Sequence, residues 1–141
     1  MVIGASGGCG IAGLQLAQYM NASEVIAVSS DKNRELVLQE GATGYLNYAT
    51  TNIADRCKAR TDPMEKFDIV YDCVTGSGSG DSYKSSALAC LRHANITAGR
   101  KHCQYVAAGG GTGIWMRMFG PKQNEHLFLN KPNTTDLNLI A

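Results

Sequence analysis

An α/β fold, a doubly wound parallel sheet of about six strands (the Rossmann type), is predicted for this 141-residue chain from three features. Short apolar runs alternate with helical patterns along the sequence, which is the rhythm of βαβ units. Two of those runs, VIAV from Val25 to Val28 and FDIVYDCV beginning at Phe67, are almost continuously apolar, as strands covered by helices on both faces should be. A glycine-rich segment, GASGGCG from Gly4 to Gly10, joins the first strand run to the first helical run.

The predicted strands are Met1 to Gly4, Val25 to Val28, Tyr45 to Asn47, Phe67 to Cys73, Gln104 to Ala108 and Leu127 to Leu129. The first helix, Ile11 to Met20, is apolar at Ile11, Leu14 and Ala17 on one face and at Ala12, Leu16 and Met20 on another, so deep burial is expected. Ser30 is placed to cap the second helix, Asp31 to Glu40, with Leu36 and Val37 inward and Gly41 just past its end. Ser82 to Leu91 supplies another helical stretch, while Thr75 to Gly80 and Gly109 to Gly113 read as loops. Met1 lies only three residues before the first glycine, and Thr135 to Ala141 opens a helical pattern with no room to finish. One dinucleotide-binding domain over residues 1–141, cut at both ends, is the expected organisation.

The glycine segment carries the chemistry. Aligned to G-x-G-x-x-G, its three positions fall on Ala5, Gly7 and Gly10: a turn, an opening for a diphosphate, and a close helix–strand contact. N–H groups from about Gly7 to Gly10, with the helix dipole behind them, would hold the two negative charges without a cationic side chain. About twenty residues on, the second strand ends in Ser29, Ser30, Asp31, Lys32, Asn33 and Arg34. An NAD-selective site places a carboxylate at the first of these positions; Ser29 offers a hydroxyl, and Lys32 and Arg34 add positive charge. Asp31 belongs more naturally in the first helical turn than on a ribose. These donors suit a 2′-phosphate, so NADPH is the expected cofactor.

Composition removes other classes. Thirteen basic and 12 acidic residues nearly cancel, and no basic stripe suits a nucleic acid. No apolar run approaches the roughly 18 residues of a membrane span, and no signal peptide opens the chain, so a cytoplasmic location is expected. The five cysteines, Cys9, Cys57, Cys73, Cys90 and Cys103, have no Cys-x-x-Cys spacing and are expected to be reduced thiols, and no metal site is predicted. None of the six tyrosines has a lysine four residues later, as a short-chain dehydrogenase would need, and no G-K-[ST] marks a P-loop.

Taken in order, these segments resemble the medium-chain dehydrogenase/reductase superfamily, and within it the zinc-free quinone oxidoreductase branch. GASGGCGIAGLQLAQ is similar to GAxGGVGxxAxQLAK, with Cys9 in the Val position and Gly13 in the Ala position; EGATGYLNY, FDIVYDCVTG and YVAAGG follow as the family's later segments do. The resemblance implies that Ser6, Gly7, Gly8, Cys9 and Gly10 hold the pyrophosphate and that Ser29, Ser30, Lys32 and Asn33 meet the 2′-phosphate end. It implies further that Tyr48 touches the adenosine part and that Val74 and Gly109 line the groove. Hydride transfer from NADPH to a small-molecule quinone, enone or related activated alkene is the implied reaction, in a homodimer joined through the last strand, near His126 to Asn130. The family's substrate-binding domain is built mainly from chain preceding the motif, so no catalytic residue is assigned here. A non-catalytic nucleotide-binding module and the cofactor domain of a zinc-dependent alcohol dehydrogenase are the alternative readings.

Overall fold

The computed structural model describes residues 1–59, 66–75, 83–91, 103–108 and 125–127, with backbone alone at 57, 58 and 125–127. In chain order the elements are β1 (Val2–Ile3), α1 (Gly8–Tyr19), β2 (Ile26–Ser29), a 3₁₀ turn (Asp31–Asn33), α2 (Arg34–Gln39), β3 (Gly44–Asn47), α3 (Ile53–Lys58), β4 (Ile69–Asp72), α4 (Lys84–Cys90), β5 (Gln104–Ala107) and β6 (Glu125–Leu127). All six strands are parallel and lie in the order β3-β2-β1-β4-β5-β6. The order reverses at β1, so the crevice above the carboxyl ends of β1 and β4 is the topological switch point where such sheets bind ligands.

Side chains alternate across the sheet, and each strand feeds two cores. Val2 and Ala27 face α1 and α2, joining Ala5, Leu14 and Val37 in one cluster. Ile3 and Val28 face α3 and α4, joining Ile53, Val70, Ala87 and Tyr105 in the other. This two-sided burial accounts for the nearly unbroken apolar run of β2, three of whose four residues are buried. β4 is less covered than its sequence suggests, because Ile69 at its start is 48% exposed.

α1 is one-sided. Leu14 and Gly10 are buried, but Leu16, Tyr19 and Met20 are exposed, so the expected deep burial on two faces is not what the chain adopts. One stripe of a helix fits against the sheet, and the second apolar stripe points away from it. The second predicted helix begins as the 3₁₀ turn and becomes α-helical at Arg34; Val37 is fully buried while Leu36 is 37% exposed, correcting its inward placement. Ser30 occupies the N-cap position without a side-chain cap bond, because its hydroxyl oxygen accepts from Asn33 instead. Gly41 ends α2 as expected: its φ is +108°, and Ala42 N–H returns to the Val37 carbonyl at 3.0 Å.

α3 has no counterpart among the predicted helices, although Asn52 Oδ1 accepts from Ala54 N–H at 2.9 Å and marks its start. The last strand lies two residues before its predicted place. Cys90 is disulfide-bonded, against the expectation of five reduced thiols, whereas Cys9, Cys73 and Cys103 are free. Wide spacing in sequence does not keep cysteines apart once helices pack. The loops predicted at 76–80 and 109–113, residue Gly109 and the pattern at 135–141 lie outside the described residues. Among the described residues no helix is long and apolar enough to cross a membrane.

Candidate dinucleotide-binding site

The glycine loop leaves β1 at Gly4, whose φ of +73° makes the turn; a Cβ there would also lie 2.7 Å from Val74 Cγ2. The turn therefore belongs to Gly4 and not to Ala5, which is fully buried. Gly10 makes the close contact expected of the third motif position, since a Cβ would fall 2.3 Å from the Gly4 carbonyl oxygen and 2.6 Å from Ala5 Cα. Among the described residues, nothing lies within 4 Å of that point at Gly8. Gly13, standing where the family pattern has Ala, makes room for the Tyr71 ring, 2.7 Å from where its Cβ would be.

One of the predicted donors is already engaged within the loop. Gly7 N–H is spent on the Gly4 carbonyl at 3.1 Å, which removes it from the predicted anion-binding group. Among the described residues, the N–H groups of Ser6, Gly8, Cys9 and Gly10 have no acceptor. Gly8 and Cys9 are exposed, Ser6 is half-buried, and all four sit at the start of a 12-residue helix above the switch point. Free N–H groups, open space over Gly8 and the positive end of a helix fit a diphosphate.

At the end of β2, Ser29 is only 2% exposed and its hydroxyl donates to the Ser30 carbonyl at 3.3 Å. Its contribution is the absence of a carboxylate. Asn33 Nδ2 donates to Ser6 Oγ at 2.9 Å and to Ser30 Oγ at 3.2 Å, joining the loop to the β2 end. Lys32 is exposed on the 3₁₀ turn. Asp31 opens that turn, as expected, with Oδ1 3.5 Å from the Tyr45 hydroxyl. Burial raises the Tyr45 phenol pKa, and the neighbouring Asp31 charge adds to the rise. Arg34 stands 5.9 Å over the Tyr45 ring. Tyr48 is 50% exposed and borders a cleft of about 400 Å³ with Thr50, Thr51, Asn52, Ile53 and Tyr83.

Val74 reaches the loop because Asp72 shapes the chain after β4. This carboxylate is wholly buried and accepts four hydrogen bonds: from Val74 N–H and Thr75 N–H at 2.9 Å each, from Thr75 Oγ1 at 2.6 Å and from the Tyr105 hydroxyl at 2.8 Å. Sequence reasoning missed this network, whose one signal was an acid closing an apolar run. Beside it, burial pushes the Tyr71 phenol up to about 12 and the Cys73 thiol up to about 11.

A doubly wound parallel sheet with a donor-lined glycine loop at its switch point defines the class: a Rossmann-type dinucleotide-binding domain. Residues 8–96, more than half of the chain, match the family described as zinc-binding dehydrogenase, and the chain belongs to that family, within the medium-chain dehydrogenase/reductase superfamily. It is 34% identical over 82 residues to a probable zinc-binding oxidoreductase, mitochondrial, of Arthroderma benhamiae, covering 58% of this chain and 24% of that one. It is 37% identical over 75 residues to 2-methylene-furan-3-one reductase of Solanum lycopersicum, covering 52% and 18% respectively. The crystal structure of Escherichia coli quinone oxidoreductase complexed with NADPH superposes with a TM-score of 0.58 at 24% identity, over 83% of this chain and 33% of that one. The chain thus spans about a quarter or less of the length of these curated relatives. Although the family name speaks of zinc, no group of three or more His, Cys, Asp or Glu among the described residues could hold a metal.

Proposed function

We propose that this chain is the NADPH-binding part of an oxidoreductase that delivers hydride to a quinone, an enone or a related activated alkene. The observation that carries the reading is the row of unpaired N–H groups on Ser6, Gly8, Cys9 and Gly10, tied through Asn33 to a β2 end that has a serine where NAD selectivity needs an acid. The E. coli quinone oxidoreductase bound to NADPH and the furanone reductase support it. When bound, the nicotinamide supplies the hydride. The residues of this chain hold the diphosphate and orient the adenosine end. Hydride transfer to such acceptors needs positioning and a proton source but no obligatory Lewis acid, so zinc has no part in the proposal.

Lys32 tests the cofactor choice. Lys32→Glu is expected to weaken NADPH binding roughly tenfold to several hundredfold while leaving NADH almost unchanged, because a charge-assisted bond to the one differing group is worth about 1.5 to 3 kcal/mol. Nicotinamide fluorescence titrations of both cofactors measure this, and equal losses would sink the assignment. High salt should shrink the difference, since Lys32 is exposed.

The proposal extends to a homodimer paired through β6, the outermost strand among the described residues, because an unpaired parallel edge invites pairing. Sedimentation of the full chain at micromolar concentration should report a dimer; a monomer would overturn this part.

A further inference from the structure

Asn33 stands between two segments that the fold brings together from different elements. A primary amide nitrogen carries two hydrogens and accepts none, and here both are given, one to Ser6 Oγ in the glycine loop and one to Ser30 Oγ past β2. Each hydroxyl oxygen is thereby occupied as an acceptor, and each keeps its own proton to donate. Among the described residues neither proton has an acceptor, and both serines are half-buried rather than freely solvated. Two hydroxyls within 3.2 Å of one nitrogen are thus set as donors, next to the free N–H groups of Ser6 and Gly8. Paired donors suit a group rich in acceptor oxygens, such as a phosphate, better than a ribose hydroxyl that brings a proton of its own.

We propose that Asn33 is a positioning residue for phosphate recognition: it aims the Ser6 and Ser30 hydroxyls at the cofactor's phosphates and does not itself touch them. The inference rests on the NADPH reading above and assigns Asn33 a different part from the direct 2′-phosphate contact implied by family resemblance. Lys32, exposed on the same turn, supplies charge, whereas Asn33 supplies direction.

The test is a mutant cycle in the full chain, with NADPH and NADH affinities read by nicotinamide fluorescence and cofactor-free thermal unfolding run alongside. Asn33→Ala should lower NADPH affinity on the order of tenfold. In a Ser6→Ala/Ser30→Ala background the same change should cost less than about twofold, because nothing is left to orient. Asn33→Asp keeps the shape but accepts from the serines, turning their protons inward and adding negative charge; NADPH should lose roughly a hundredfold and NADH about ten times less. Equal cost of Asn33→Ala in both backgrounds would mean direct contact or general scaffolding and would overturn the proposal. So would equal losses for the two cofactors accompanied by a lowered unfolding midpoint. A wild-type chain that binds neither cofactor would instead remove the NADPH reading itself, and this proposal with it.

Discussion

Replacing Asp72 with alanine is expected to cost about 3 to 5 kcal/mol of folding stability, because it strands several buried hydrogen-bond donors at once. The carboxylate is fully buried and takes two N–H and two O–H donors, and the Thr75 and Tyr105 donors lie at 8% and 1% exposure, where water cannot replace it. Each stranded donor costs about 1 to 3 kcal/mol, less what relaxation recovers. Asp72→Asn should cost less, about 1 to 2 kcal/mol, because the amide oxygen still accepts from the two N–H groups while the hydroxyls of Thr75 and Tyr105 rotate to accept from its NH₂. Urea unfolding with an unchanged slope measures both. A loss below about 1 kcal/mol for Asp72→Ala would show that the turn after β4 is held by something else.

Gly10→Ala should be nearly as severe, and Gly8→Ala should not destabilise at all. At Gly10 the new methyl meets three backbone atoms of the loop, the Gly4 oxygen at 2.3 Å and Ala5 Cα and C at 2.6 and 2.7 Å, so α1 must move off β1. Overpacking of that kind costs about 3 kcal/mol, and the shift also carries the free N–H groups out of line. At Gly8 the methyl meets no atom of the described residues, and the better helix former should leave stability unchanged or raise it by up to about 1 kcal/mol. Its penalty falls on the ligand, because the open space is where a diphosphate would approach; NADPH affinity should drop while the unfolding midpoint does not. A Gly8→Ala protein that binds NADPH normally would remove the loop from the site.

Much of this was legible before any coordinates. Gly4 to Gly10 announced a strand-to-helix turn because the strain and crowding there admit few other residues, and VIAV announced a strand buried on both sides. Interactions between distant segments were hidden. Asp72 reads as a plain acid until β5 brings the Tyr105 hydroxyl against it, and nothing in the sequence joins Asn33 to Ser6 in the first loop. α1 misled because its two apolar stripes look alike in sequence, while only the one carrying Leu14 meets the sheet. α3 escaped because a six-residue helix with Ile53 as its buried anchor shows no period.

The two cores differ in how far along the chain their members lie, and this bears on the order in which the protein can fold. The cluster under α1 and α2 draws its buried residues from Val2 to Ala42, a span that also contains the whole glycine loop. Its contacts close short loops, so this half can condense quickly, and during synthesis it can do so while the rest is still being made. The opposite cluster joins Met1, Ile3 and Val28 to Val70, Tyr105 and Ala107, and cannot form until β4 has threaded in beside β1, pairing Tyr71 with Val2. Until then the far edge of β1 is an unpaired strand beside exposed apolar side chains. That interval is when the nascent chain is most open to aggregation and most dependent on being shielded.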